Sequence, residues 1–107
     1  MSQITVDELK RRLEAGEDIN LVDIRPEEDY EAETIEGSQN LPLREAMLDG
    51  DLETVQEYLD ELPDDEEVVT FCDAGVTSEQ TAEMLSEQGH DAKALDGGLN
   101  SWKETND

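Results

Sequence analysis

The chain has 107 residues, of which 31 are acidic and 7 basic, for a net charge of −24. That length suffices for one domain with one core, expected over residues 1–107. The charge makes nucleic acid and anionic membrane poor partners. Cys72 is the only cysteine, so no internal disulfide can form, which suits a reducing cytoplasm.

Acidic residues are spread along the whole chain and apolar periodicity survives between them, so the charge does not indicate disorder. The simplest account is a surface adapted to concentrated salt, and an acidic partner-binding protein is the alternative. No leader, membrane-spanning run or basic targeting segment is read, and a cytoplasmic monomer is expected.

Ile4 can start a short edge strand. Thr5 followed by Glu8 reads as a capping box. Val6, Leu9 and Leu13 share a helical face that stops at Gly16. Ile19 to Ile24 reads as a buried strand, followed by Arg25 and a short acidic helix opened by Pro26 and running through Tyr30. Thr34 to Gly37 reads as a loop, and Ser38 to Leu41 as a short strand stopped by Pro42. Leu43 to Leu48 supplies one or two helical turns, and Asp49-Gly50 a turn. Leu52, Val55, Tyr58, Leu59 and Leu62 mark a second amphipathic helix that ends at Pro63.

Val68, Val69, Thr70 and Phe71 are β-branched or aromatic and form a buried strand pattern. It ends on Cys72, after which Asp73, Ala74, Gly75, Val76 and Thr77 read as a tight loop. A helix is expected from Ser78 to Gly89. Ala92 to Leu95 reads as a last strand, Asp96 to Gly98 as a turn, and Leu99 and Trp102 as one face of a closing helix. Strands alternating with helices indicate an α/β parallel sheet.

Cys72 therefore lies between a strand end and a helix start, where backbone N–H groups and a positive helix terminus converge. A thiolate nucleophile needs such a place, since a free thiol with a pKa near ~8.5 is only about 3% ionised at pH 7. A structural cysteine at a strand end would fit the same pattern. Asp23 and Arg25 stand at another strand end. In an open parallel sheet, sites form beyond the carboxyl ends of strands at a switch in strand order, which would bring Asp23, Arg25 and the Cys72 loop together. Taken singly, Asp23 reads as a loop cap and Arg25 as a surface ion pair. His90 is expected in an exposed turn, and Arg44 in an ion pair with neighbouring acids. No His/Cys cluster supports a metal and no Gly-rich phosphate loop supports a nucleotide, so no cofactor is expected.

Three stretches, in order and spacing, resemble the rhodanese-like sulfurtransferases: VDIRPEEDYEAETIEGSQNLPL, the strand VVTFC with the loop CDAGVT and Ser78, and LDGGLNSW. The resemblance implies a three-layer α/β/α fold around a five-stranded, mostly parallel sheet. It implies that Cys72 accepts sulfur as a persulfide and that the backbone from Asp73 through Ala74, Gly75, Val76 and Thr77 to Ser78 cradles the outer sulfur. Asp23 would hold the loop, and Arg25 would offer the nearest positive charge. The chain departs from the family where Thr77 replaces a common Arg, Asp73 a common basic residue, and Thr34 a usual His. Asp73 is expected to oppose thiolate formation and to repel thiosulfate. A cysteine phosphatase would need Arg where Ser78 stands.

The resemblance implies a sulfurtransferase carrying sulfane sulfur on Cys72 between a small sulfane donor or a protein persulfide donor and a thiophilic acceptor. A non-catalytic binding or regulatory module of the same fold, or a carrier fed by a protein persulfide, would share the sequence.

The charge generates a first prediction. Screening should relieve self-repulsion, so the thermal midpoint should climb with KCl and level off near about 1 M, where the Debye length falls to ~3 Å. A midpoint independent of KCl would contradict salt adaptation.

Overall fold

A computed structural model describes residues 3–63 and 65–106. The expected domain's end positions, 1 and 107, lie outside the described residues. The elements run in order as β1 (Gln3–Ile4), α1 (Val6–Glu14), β2 (Ile19–Asp23), α2 (Glu27–Ala32), β3 (Gln39–Asn40), α3 (Leu43–Leu48), α4 (Leu52–Leu59), β4 (Glu67–Phe71), α5 (Val76–Glu87), β5 (Ala92–Leu95) and α6 (Gly98–Asn106).

The five strands form one sheet in the order β1-β5-β4-β2-β3. Every pairing is parallel. A sheet expected to be mostly parallel is thus parallel throughout. Its two outer strands have only two residues each, which limits edge-to-edge association.

Alternation along β4 shows how the layers form. Val68 and Cys72 pack into one apolar cluster with Leu43 of α3, Val55 and Leu59 of α4, and Ala82 and Leu85 of α5. Val69 and Phe71 pack into the other with Val6 and Leu9 of α1 and Leu99 of α6. Strands covered on both faces read as continuous apolar runs, as β4 does. The result is the three-layer arrangement expected.

Side-chain capping sets the starts of α1 and α4. The Thr5 hydroxyl accepts the Glu8 N–H at 3.2 Å at the head of α1. Asp51 accepts the Thr54 N–H at 3.2 Å at the head of α4. Several boundaries differ from expectation. α4 ends at Leu59, and Leu62 is buried just beyond it. β3 is confined to Gln39–Asn40. α5 begins at Val76, two residues before Ser78, because Gly75 adopts φ +98 and turns the chain into the helix at once.

An ion-pair cluster ties the ends of the strands opposite the Cys72 loop. Glu67, at the start of β4, is gripped by Arg12 of α1 and lies 2.9 Å from Nζ of Lys93 in β5. The Arg12 hydrogen bond outweighs the effect of burial, and Lys93 adds to it, holding the Glu67 carboxyl down to about 2.

β2 leads through α2 to β3 on one side, and β4 leads through α5 to β5 on the other. The switch in strand order therefore lies between β2 and β4. Asp23 is paired with Phe71 there, and the Ile24 N–H donates to the Phe71 carbonyl at 3.1 Å.

Candidate active site

Cys72 follows the last residue of β4 and is 4% exposed. Its Sγ accepts the Gly75 N–H at 3.2 Å and lies 3.4 Å from Oγ of Ser78. Ser78 is fully buried in the first turn of α5. Its carbonyl accepts the Thr70 hydroxyl at 2.8 Å, which pins that turn to β4. N–H groups in a first helical turn have no acceptor within the helix, and those of Val76, Thr77 and Ser78 occupy that position. A negative sulfur at Cys72 would meet the positive end of a 12-residue helix.

The loop is oriented from below by α6. The Leu99 N–H donates to the Cys72 carbonyl at 2.8 Å, and the Asn100 N–H to the Asp73 carbonyl at 3.0 Å. In a trans peptide the C=O and the following N–H point in opposite directions. With these carbonyls turned to α6, the N–H groups of Asp73 and Ala74 face away from it. The contact requires glycine: a Cβ on Gly98 would come within 2.5 Å of the Cys72 oxygen.

Arg25 organises the β2 side. Its Nε and Nη2 donate to Asp23, at 3.0 Å to Oδ1 and 2.9 Å to Oδ2, and its backbone N–H donates to Oδ1 at 3.0 Å. Nη2 also donates to the carbonyls of Asp29, at 3.3 Å, and Glu33. Nη1 is left for Asp73 Oδ1, at 3.2 Å. Arg44 Nη1 donates to the other Asp73 oxygen at 2.8 Å. Burial pushes the Asp73 carboxyl upward, but the Arg44 and Arg25 hydrogen bonds outweigh it and hold the group below its ordinary value.

Two expectations are corrected by this geometry. Arg25 is not a free cation, because its side chain is 7% exposed, paired with Asp23, and its Nη1 is taken by Asp73. Asp73 does not stand as uncompensated charge beside Cys72, because two guanidinium groups share it.

A family model for the rhodanese-like domain matches residues 5–105. The chain belongs to the rhodanese-like domain family. It is 35% identical to an HTH-type transcriptional regulator of Mycobacterium tuberculosis over 94% of this chain and 41% of that protein. It is 32% identical to a maize adenylyltransferase and sulfurtransferase over 94% of this chain and 21% of that one. The chain thus spans less than half the length of these two relatives. A thiosulfate sulfurtransferase of Shewanella oneidensis is 30% identical over 96% of this chain and 93% of its own length. In fold, the chain superposes on a rhodanese-related protein of Thermoplasma volcanium with a TM-score of 0.80, covering 98% of this chain and 93% of that one at 24% identity.

Within this rhodanese-like domain, Asp23, Arg25, Cys72, Asp73, Gly75 and Ser78 form one connected cluster. Ala74 and Val76 are exposed on its surface, and Thr77 is half-buried, its carbonyl accepting the Thr81 hydroxyl at 3.0 Å. His90 is half-buried rather than exposed and follows the far end of α5. Sequence reading missed Asn40, whose Nδ2 donates to the carbonyls of Asp23 and Arg25, both at 2.9 Å. It also missed Thr34 as the hydroxyl that donates to Asp23 Oδ2 at 2.9 Å. Among the described residues, no group of three or more His, Cys, Asp or Glu side chains is placed to hold a metal ion.

Asp23 is fully buried, and Arg25 is its ion-pair partner. Arg25→Met should cost about 3–5 kcal/mol in urea denaturation, and Asp23→Asn added to it should restore part of that loss. A cost under about 1 kcal/mol for the single variant would show that the pair does not hold this end of the sheet.

Proposed function

We propose that the protein is a sulfurtransferase that carries sulfane sulfur as a persulfide on Cys72 and passes it to a thiophilic acceptor. The observation that carries this reading is the Sγ environment: one N–H at 3.2 Å and one hydroxyl at 3.4 Å, at the N-terminus of α5. Membership of the rhodanese-like family and the likeness to a thiosulfate sulfurtransferase support it.

The Cys72 thiolate attacks the outer sulfur of the donor. The donor's S–S bond breaks, and its electron pair leaves as a thiolate, or as sulfite when the donor is thiosulfate. A new S–S bond joins the transferred sulfur to Cys72. An acceptor nucleophile then takes the outer sulfur, and the electron pair returns to Cys72 as the thiolate. Sulfur is handed on without an added oxidant or reductant.

Gly75 and the first-turn N–H groups of α5 stabilise the anionic sulfur without having to reorganise. Each hydrogen bond to that charge is worth roughly 1.5–3 kcal/mol. The Ser78 hydroxyl donates to the sulfur once Cys72 is ionised. Asp23 and Arg25 position the loop. A regulatory module of the same fold is the second reading, favoured by the likeness to a transcriptional regulator, and the Cys72 environment argues against it.

Intact-mass measurement after incubation with thiosulfate, polysulfide and a persulfidated thiol should show one added sulfur. The adduct should be absent from Cys72→Ser and removed by cyanide or a thiol acceptor. No adduct from any of the three donors would refute the transferase reading.

A further inference from the structure

The two arginines beside the Cys72 loop hold a carboxylate in the manner of a bound oxyanion. Arg25 Nη1 takes one Asp73 oxygen at 3.2 Å and Arg44 Nη1 takes the other at 2.8 Å. Arg25 has its remaining donors committed to Asp23 and to the carbonyls of Asp29 and Glu33, so its Nη1 is aimed at this one place. Arg25 is buried at 7% side-chain exposure, whereas the Asp73 side chain is 49% exposed. The carboxylate therefore lies on the solvent side of two guanidinium groups, one residue from the reacting sulfur; Arg25 is also paired with Asp23, and Arg44 Nη2 lies 3.7 Å from Asp29 Oδ2.

We propose that Arg25 and Arg44 form an anion site that Asp73 keeps occupied, so that the protein turns away small oxyanion donors in favour of sulfur delivered on a carrier thiol. This rests on the sulfur-transfer reading for its substrate class, although the anion site itself does not. A dianion such as thiosulfate must displace Asp73, and the displaced carboxylate stays tethered nearby at high local concentration. A recess of about 380 Å³ lined by Pro26 and Pro42, which neighbour Arg25 and Leu43 in the chain, carries Glu27, Glu28, Glu31 and Glu45 and so presents carboxylates rather than cations. A persulfide on a carrier thiol places little charge near this pair. Its S–S bond breaks as Cys72 takes the outer sulfur, and the electron pair leaves on the carrier's own sulfur.

Asp73→Asn removes the charge while keeping the shape. Asp73→Ser is the second variant, and both should fold because the backbone of residue 73 is anchored by Asn100. Sulfate, an unreactive dianion, is titrated calorimetrically at constant ionic strength. Its dissociation constant should tighten about tenfold or more in either variant. Adding Arg44→Gln should cancel that gain. With thiosulfate and glutathione persulfide as paired donors, the ratio of their kcat/KM values should shift about tenfold toward thiosulfate. Equal sulfate affinity in wild type and in folded Asp73 variants would overturn the proposal, as would a gain that survives Arg44→Gln. Sulfate binding needs no sulfur transfer, so tightened binding without any persulfide on Cys72 would defeat the transferase reading and leave the anion site standing.

Discussion

Two backbone hydrogen bonds decide which way the Cys72 loop faces. Leu99 and Asn100, in the first turn of α6, donate to the carbonyls of Cys72 and Asp73. Fixing those carbonyls turns the next N–H groups to the opposite side. Gly75 then bends the chain into α5, so its own N–H reaches the sulfur at 3.2 Å. One helix terminus thus sets the orientation of the loop, and a second supplies its donors. Thr70 closes the arrangement by holding the Ser78 carbonyl, which keeps the start of α5 on the strand that delivers the cysteine.

Charge around this scaffold is arranged rather than merely abundant. In a chain of net −24, two of the four arginines converge on one loop carboxylate. Asp23 and Arg25 form a buried pair at the switch between β2 and β4, and Thr34 and Asn40 satisfy further oxygens around it. A buried pair of this kind is weak evidence of net stabilisation, but it is costly to break from one side. Its role here is geometric: it aims a single guanidinium donor at Asp73. The loop beside Cys72 is consequently less negative than the sequence CDAG suggests.

Much of the fold was legible because burial on both faces leaves a continuous apolar run. Val68, Val69 and Phe71 could be read as part of a central strand for that reason, whereas in Ile19 to Ile24 the apolar residues are interrupted by Asn20 and Asp23. The meeting of Asp23, Arg25 and Cys72 followed from the parallel-sheet switch point. Contacts between segments far apart in the chain were not legible. Nothing local in Gly97-Gly98 says that the following N–H groups seek the Cys72 carbonyl, although a doubled glycine was a signal of close approach. Arg44 was read as an ion pair with neighbouring acids, and its partnership with Asp73 depends on where α3 docks. α5 starts at Val76 rather than Ser78 because Gly75, at φ +98, turns the chain into the helix two residues earlier than the loop pattern suggests.

The central claim is that the loop already presents its N–H groups to sulfur before any sulfur arrives. Amide chemical shifts of the reduced protein and of its Cys72 persulfide test it most directly. A preset cradle predicts changes concentrated at Gly75, Val76, Thr77 and Ser78, with Leu99 and Asn100 unmoved. Large shifts at Leu99 and Asn100, with Gly75 to Ser78 unchanged, would mean that the loop rebuilds itself around the sulfur and would contradict the account.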